Sequence, residues 1–151
     1  MSGIYCSMAV KLGVGWMSNL QSPLASSQDA PHEMPLAWFQ LAQIGSDFQR
    51  FFVARAPDGN SSKFIQLVPV DEDLPFVIIR LYKRLSDQAA QLIAKYTFES
   101  VLVENYRIST QDSIMVEMID FLSAELKYSY SSYEAVGLDM QARMGGLNVT
   151  V

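Results

Sequence analysis

Apolar and polar residues alternate along the chain in several short runs. Ile4, Cys6, Met8, Val10 and Leu12 fall on one side of Tyr5, Ser7, Ala9 and Lys11, the two-residue period of a strand with one buried face. Gly13 and Gly15 break it. Residues 36–48 are apolar without a clean period and read as strand. Residues 51–56 form a short apolar run that ends at Pro57-Asp58-Gly59-Asn60, where Pro presets φ and Gly accepts a positive φ. Residues 61–70 fit two elements: the second arm of a hairpin, or a short helix with Asn60 or Ser61 as N-cap, stopped by Pro69. Pro75 opens a β-branched and aromatic segment, 76–82, that reads as strand. Residues 85–92 read as a connection, although 86–91 also suit a helical turn.

Two strong strands follow. In 95–108, Thr97, Val101 and Val103 stand opposite Tyr96, Phe98 and Leu102. Residues 114–130 make the longest β-like stretch, with Leu122, Ala124, Leu126, Tyr128 and Tyr130 alternating with Ser123, Glu125, Lys127 and Ser129. The end, 147–151, is a frayed tail or a short final strand. Several short strands separated by turn signals point to a mainly β fold, a barrel or sandwich with one small helix.

Composition narrows the function classes. A chain of 151 residues is one domain's worth and long enough to bury a core. Half of it is apolar and the mean hydropathy is +0.11, so wholesale disorder is excluded. The net charge is -5 and the pI near 4.7, a poor basis for neutralising phosphates, so nucleic acid is not an expected partner. No apolar run approaches the ~20 residues that span a bilayer, so membrane insertion is not expected. The N-terminus lacks a charged region followed by an unbroken apolar stretch, so a secretory signal is not expected, and the expected location is cytoplasmic.

The chain holds one histidine, His32, and one cysteine, Cys6. His32 lies beside Glu33 in a Ser- and Pro-rich segment, 18–35, whose length marks a functional or mobile loop. A catalytic His needs an orienting partner and a nucleophile or substrate within reach, and the neighbouring residues supply none, so His32 reads as a solvated loop histidine. Cys6 sits on an apolar face without a basic neighbour and reads as an inert core residue. Asp71, Glu72 and Asp73 lack the alternating ligands of a calcium loop and read as a solvated turn. Glu134 and Asp139 have no partner that marks an acid/base pair. Gly13-Val14-Gly15 lacks the further Gly of a dinucleotide fingerprint. No catalytic, cofactor-binding or metal residue is expected, and the chain is expected not to be an enzyme. Such a domain acts through its surfaces, and β-edges and apolar patches make self-assembly a natural expectation. Two other readings remain. One is a monomeric barrel binding a small apolar ligand lined by Trp16 and Trp38. The other is an acidic adaptor or immunity-type protein capping a basic partner.

The segment Tyr96-Thr97-Phe98-Glu99-Ser100-Val101-Leu102-Val103-Glu104-Asn105-Tyr106 resembles a strand of the Hcp family, the inner-tube proteins of type VI secretion systems. Ser123 to Tyr130, ending in aromatic-x-Tyr, is similar to that family's late strand. Phe52-Val53-Ala54-Arg55-Ala56, followed by Asp58, Ser61 and Ser62, resembles its strand, turn and helix, while Gly3-Ile4-Tyr5 fits its opening strand and Pro75 with 76–84 the strand after the helix. A phage tail-tube relative fits the same pattern. The resemblance implies a single domain over 1–151, a β-barrel of two packed antiparallel sheets with one short flanking helix. It implies that six copies close into a ring and that rings stack head to tail into a tube that carries effectors and meets spike or sheath proteins. Secretion through the apparatus without a signal peptide would follow. Residues 18–35 and 134–151 are the segments expected to serve those contacts.

Overall fold

Short alternating segments bury their apolar faces only by pairing and curling, and the chain does this with one sheet. The computed structural model describes residues 2–17, 32–44, 48–68, 70, 73–85 and 89–149. Its strands are β1 (Ser2–Lys11), β2 (Met34–Leu36), β3 (Trp38–Ile44), β4 (Phe48–Arg55), β5 (Leu74–Leu85), β6 (Gln91–Gln111), β7 (Ile114–Tyr130) and β8 (Leu147–Asn148). The helices are α1 (Ser61–Leu67) and α2 (Tyr133–Met144).

All eight strands form one antiparallel sheet in the order β2-β1-β5-β6-β7-β4-β3-β8. β2 and β3 are separated only by Ala37, yet one pairs with β1 and the other with β4. This bent segment therefore brings the two ends of the sheet together and closes the barrel. The mainly β architecture expected from the sequence is present, as one continuous curled sheet rather than two stacked ones. β8 covers the free edge of β3, with Val149 N–H donating to the Ala37 carbonyl at 3.2 Å.

The interior is filled with rings. Phe51 of β4 stacks on Phe98 of β6 (centroids 3.7 Å apart) and on Phe121 of β7 (4.7 Å). Phe64, the one buried residue of α1, meets Phe121 edge-on at 6.4 Å. Phe39 and Tyr96 extend the cluster toward α2.

The ambiguity over 61–70 resolves as a helix. Asn60 occupies the N-cap position, but its side chain points inward to the Met34 sulfur at 3.7 Å. No side chain caps the helix; Asp58 orders the turn before it, its Oδ1 accepting from Asn60 N–H (2.8 Å) and its own N–H donating to Ser61 Oγ (3.0 Å). Pro69, Asp71 and Glu72 lie outside the described residues, as do 18–31 of the expected Ser/Pro loop and 86–88 of the expected connection. That loop does not run to 35, because Glu33 is buried and Met34 and Pro35 belong to β2.

β6 and β7 form a hairpin much longer than the barrel needs. Its turn is Asp112-Ser113, both with positive φ (50° and 66°), the requirement of a tight two-residue hairpin turn. Neither strand keeps one alternation throughout. Ser100 has φ 53°, and opposite it Ser123 Oγ donates toward the Glu99 and Glu125 carbonyls. Before this level Tyr96 and Phe98 are buried; beyond it Val101 and Val103 are. On β7, Phe121 and Ser123 face inward while Leu122 is half-exposed and Ala124 exposed. The expected single face through Leu122, Ala124 and Leu126 is thus corrected: a local distortion swaps the faces.

The expected tail, 134–151, is instead mostly the second helix, α2. Ser132 caps it by accepting from Ala135 N–H at 3.2 Å, with Glu134 in the first turn and Arg143 in the last. Gly146 then turns the chain at φ 108° against Trp38, where a Cβ would lie 2.2 Å from the indole nitrogen.

Candidate assembly surface

Three carboxylates are buried in the barrel wall, and each joins elements that the chain separates widely. Glu33 accepts from Ser7 Oγ of β1 at 2.8 Å and from the Tyr82 hydroxyl of β5, with the Arg80 guanidinium 3.7 Å away. Burial pushes the Glu33 pKa above the ordinary carboxylate range, against the pull of Tyr82, Ser7 and Arg80. Glu117 of β7 accepts from Arg55 of β4 and from the Tyr106 hydroxyl of β6. Arg55 also donates to Asp58 and lies over the Phe64 ring at 5.5 Å, so α1, β4, β6 and β7 meet at one guanidinium. Burial and the bond to Glu117 push the Tyr106 hydroxyl up to about 12. Asp139 of α2 accepts from the Tyr96 hydroxyl (2.6 Å) and from Arg143 Nε (2.9 Å), and Arg143 lies over Tyr128 at 5.6 Å.

Each carboxylate is held by a tyrosine and an arginine, a geometry that fixes elements in place. Arg55, Glu117 and Tyr106 were not singled out in the sequence. Their signal was there: a charge inside an apolar strand run at Phe51-Phe52-Val53-Ala54-Arg55 and at Ile114-Met115-Val116-Glu117-Met118. Asp139, read in the sequence only as lacking an acid/base partner, is the anchor of α2, whereas Glu134 pairs with Lys83 at 2.8 Å at the surface.

His32 is not the solvated loop histidine expected. It is half-buried and stacks on Trp16, with centroids 6.2 Å apart and planes within 4°. Cys6 is buried as expected, and burial pushes its thiol pKa up. Trp38 borders a cleft of about 220 Å³ on the barrel's flank, with Ala37, Ala54, Val116, Met118 and Asn148. Among the described residues no group of His, Cys, Asp and Glu has the makings of a metal site, and no helix is long and apolar enough to cross a membrane.

Exposed apolar side chains are scattered over the described surface, Val14, Phe48, Ile65, Leu85 and Leu92 among them, and gather in threes and fours at two places. On α2, Tyr133, Val136, Met140 and Met144 are exposed, Tyr133 at 97% and Met144 at 82%. At the tip of the β6–β7 hairpin, Ile108, Ile114 and Met115 are each more than half exposed. Both are poor in charge and rich in the residue types that interfaces favour.

No protein-family model matches the chain, and no curated sequence does. Solved structures do. The secreted protein Hcp3 from Pseudomonas aeruginosa superposes with a TM-score of 0.64 at 11% identity, covering 100% of both chains. Hcp1 from Salmonella typhimurium gives 0.65 at 14% identity over 85% of this chain and 87% of its own. A type six secretion system protein gives 0.61 at 16% identity over 95% and 92%. The fold is therefore that of the Hcp proteins, as the pattern at 96–106 and 123–130 implied.

Proposed function

We propose that this chain is a structural subunit that assembles into hexameric rings, and that the rings stack into the inner tube of a contractile, type VI-like secretion apparatus. The observation that carries the reading is the superposition of the barrel on Hcp3, with a TM-score of 0.64. The interior supports it: stacked Phe and Tyr rings fill the barrel, leaving its chemistry to the outside. In this role the subunit needs no catalytic group. Its function is to present complementary surfaces, and the lumen of the ring carries effectors. Spike or sheath proteins meet the ring faces, and the chain leaves the cell through the apparatus.

Light scattering on a size-exclusion column, over a wide concentration range, tests the reading. A ring-sized species is expected. A monomer at every concentration would contradict it and would favour an acidic adaptor capping a basic partner.

A further inference from the structure

Helix α2 is inverted relative to an ordinary surface helix. The face it turns to the barrel is Ala135, Asp139 and Ala142 with the half-buried Leu138, a single large apolar residue. The face it turns to solvent carries Tyr133, Val136, Met140 and Met144, which recur every three or four residues and so form one stripe. The stripe exposes apolar surface on the order of 500 Å², at the upper end of what a soluble monomer tolerates. The hairpin tip adds Ile108 and Met115 on one face of the ribbon and Ile114 on the other, as the pairs Thr110↔Met115 and Gln111↔Ile114 require.

These two patches do not cover each other within one chain. α2 starts just after Tyr130, which pairs with Ala94 at the base of the hairpin, whereas the tip lies at the Gln111–Ile114 pair. About 50 Å of strand separates the two levels at ~3.3 Å per residue. The stripe and the Ile108–Met115 face together present roughly 700 Å² of apolar surface, most of the apolar part of a standard interface of about 1,600 Å² in total, of which somewhat more than half is ordinarily non-polar. The tip's only charged side chain between Ile108 and Val116 is Asp112, and the stripe has none, so no like charges oppose one another.

We infer that the α2 stripe of one copy receives the β6–β7 hairpin tip of a second copy of this chain. The contact is heterologous: each copy uses a different surface for each neighbour, the condition for closing a ring. The inference rests on the assembly reading and names the surfaces that carry it. Helix packing against a protruding hairpin also accounts for the two exposed methionines, whose flexible side chains adapt to a partner's surface.

Two surface variants test it: Met140→Glu with Met144→Glu, and Ile114→Glu with Met115→Glu. Sedimentation is measured for the wild type, for each variant and for an equimolar mixture. Each variant alone is expected as a monomer. The mixture is expected to form a one-to-one pair and stop there, since only one intact tip and one intact stripe remain. In parallel, Met115→Cys mixed with Met140→Cys is expected to give an intersubunit disulfide under mild oxidation, with buried Cys6 unreactive. A wild type that assembles while both variants also assemble overturns the assigned surfaces and leaves the assembly reading standing. Assembly-deficient variants whose mixture stays monomeric overturn the pairing of tip with stripe. A monomeric wild type overturns both.

Discussion

The two halves of the β6–β7 hairpin carry the same device built to different depths. In the lower half, Tyr96 holds Asp139, which Arg143 braces from within the helix, and so fastens α2. In the upper half, Tyr106 and Arg55 hold Glu117 and so fasten α1 and β4. The lower ion pair reaches water, with the Arg143 side chain 33% exposed. The upper one does not, since Arg55 and Glu117 are 1% and 0% exposed. A shallow pair is screened and replaceable, whereas a deep pair has no solvent to fall back on if one member is lost. The upper half therefore depends on its charges to hold the projecting arm at a fixed angle, and the lower half depends more on packing.

The largest expected effect comes from breaking the deep pair. Arg55→Ala leaves Glu117 buried with its charge uncompensated and is expected to cost about 3–5 kcal/mol in urea denaturation. Replacing both partners together, Arg55→Met with Glu117→Met, is expected to restore most of that loss, because no charge remains to be desolvated. A double variant as unstable as the single one would show that the pair contributes more than mutual neutralisation. In the lower half, Asp139→Ala removes the acceptor of Tyr96 and is expected to cost less, about 1–3 kcal/mol. Local unfolding of α2, read by hydrogen exchange, should then precede global unfolding. An equal or greater loss than at Arg55 would erase the distinction between the halves.

Glu33 sharpens the contrast, since it is buried like Glu117 but its guanidinium partner stands off at 3.7 Å. Its pKa is raised by burial, so the folded chain holds its proton more tightly than the unfolded chain does. Stability from this group is therefore fully present below the unfolded value of about 4.3. It is lost as pH rises through the higher folded value. Relative to Glu33→Gln, the wild type is expected to lose stability as pH rises above that unfolded value, as thermal melts of both will show. Parallel melting curves would contradict the shift. The smallest effect is expected at Arg50 and Glu104, an exposed pair at 2.7 Å on the hairpin's flank: Glu104→Gln should change stability by less than about 1 kcal/mol.

The strands were legible because period-two patterns survive wherever one face is buried. β1, β5 and β7 start or end within a few residues of where the alternation placed them. What the pattern hid was the swap of faces at Ser100 and Ser123, because a local distortion leaves the residue types untouched while reversing which ones point inward. α2 was hidden for a different reason. Its inward face has one large apolar residue, Leu138, among small and polar ones, and its exposed stripe is apolar, so its pattern gives little sign of a helix docked on a core. Glu33 was read with its sequence neighbours in a loop, while its partners Ser7 and Tyr82 lie far off in the chain, a long-range fact no local window contains. The contact surfaces expected at 18–35 and 134–151 fared unequally. α2 supplies one exposed apolar face, and 18–31 lie outside the described residues. The hairpin tip was not foreseen, because Ile114 and Met115 read as ordinary strand residues until the strand is seen to project.

Native mass spectrometry of the wild-type chain, with electron-microscope class averages of the same sample, tests assembly most directly. A species of six 16.9 kDa chains forming a ring with a central hole is the expected result. A single chain of that mass, with no ring particles at any concentration, would contradict it.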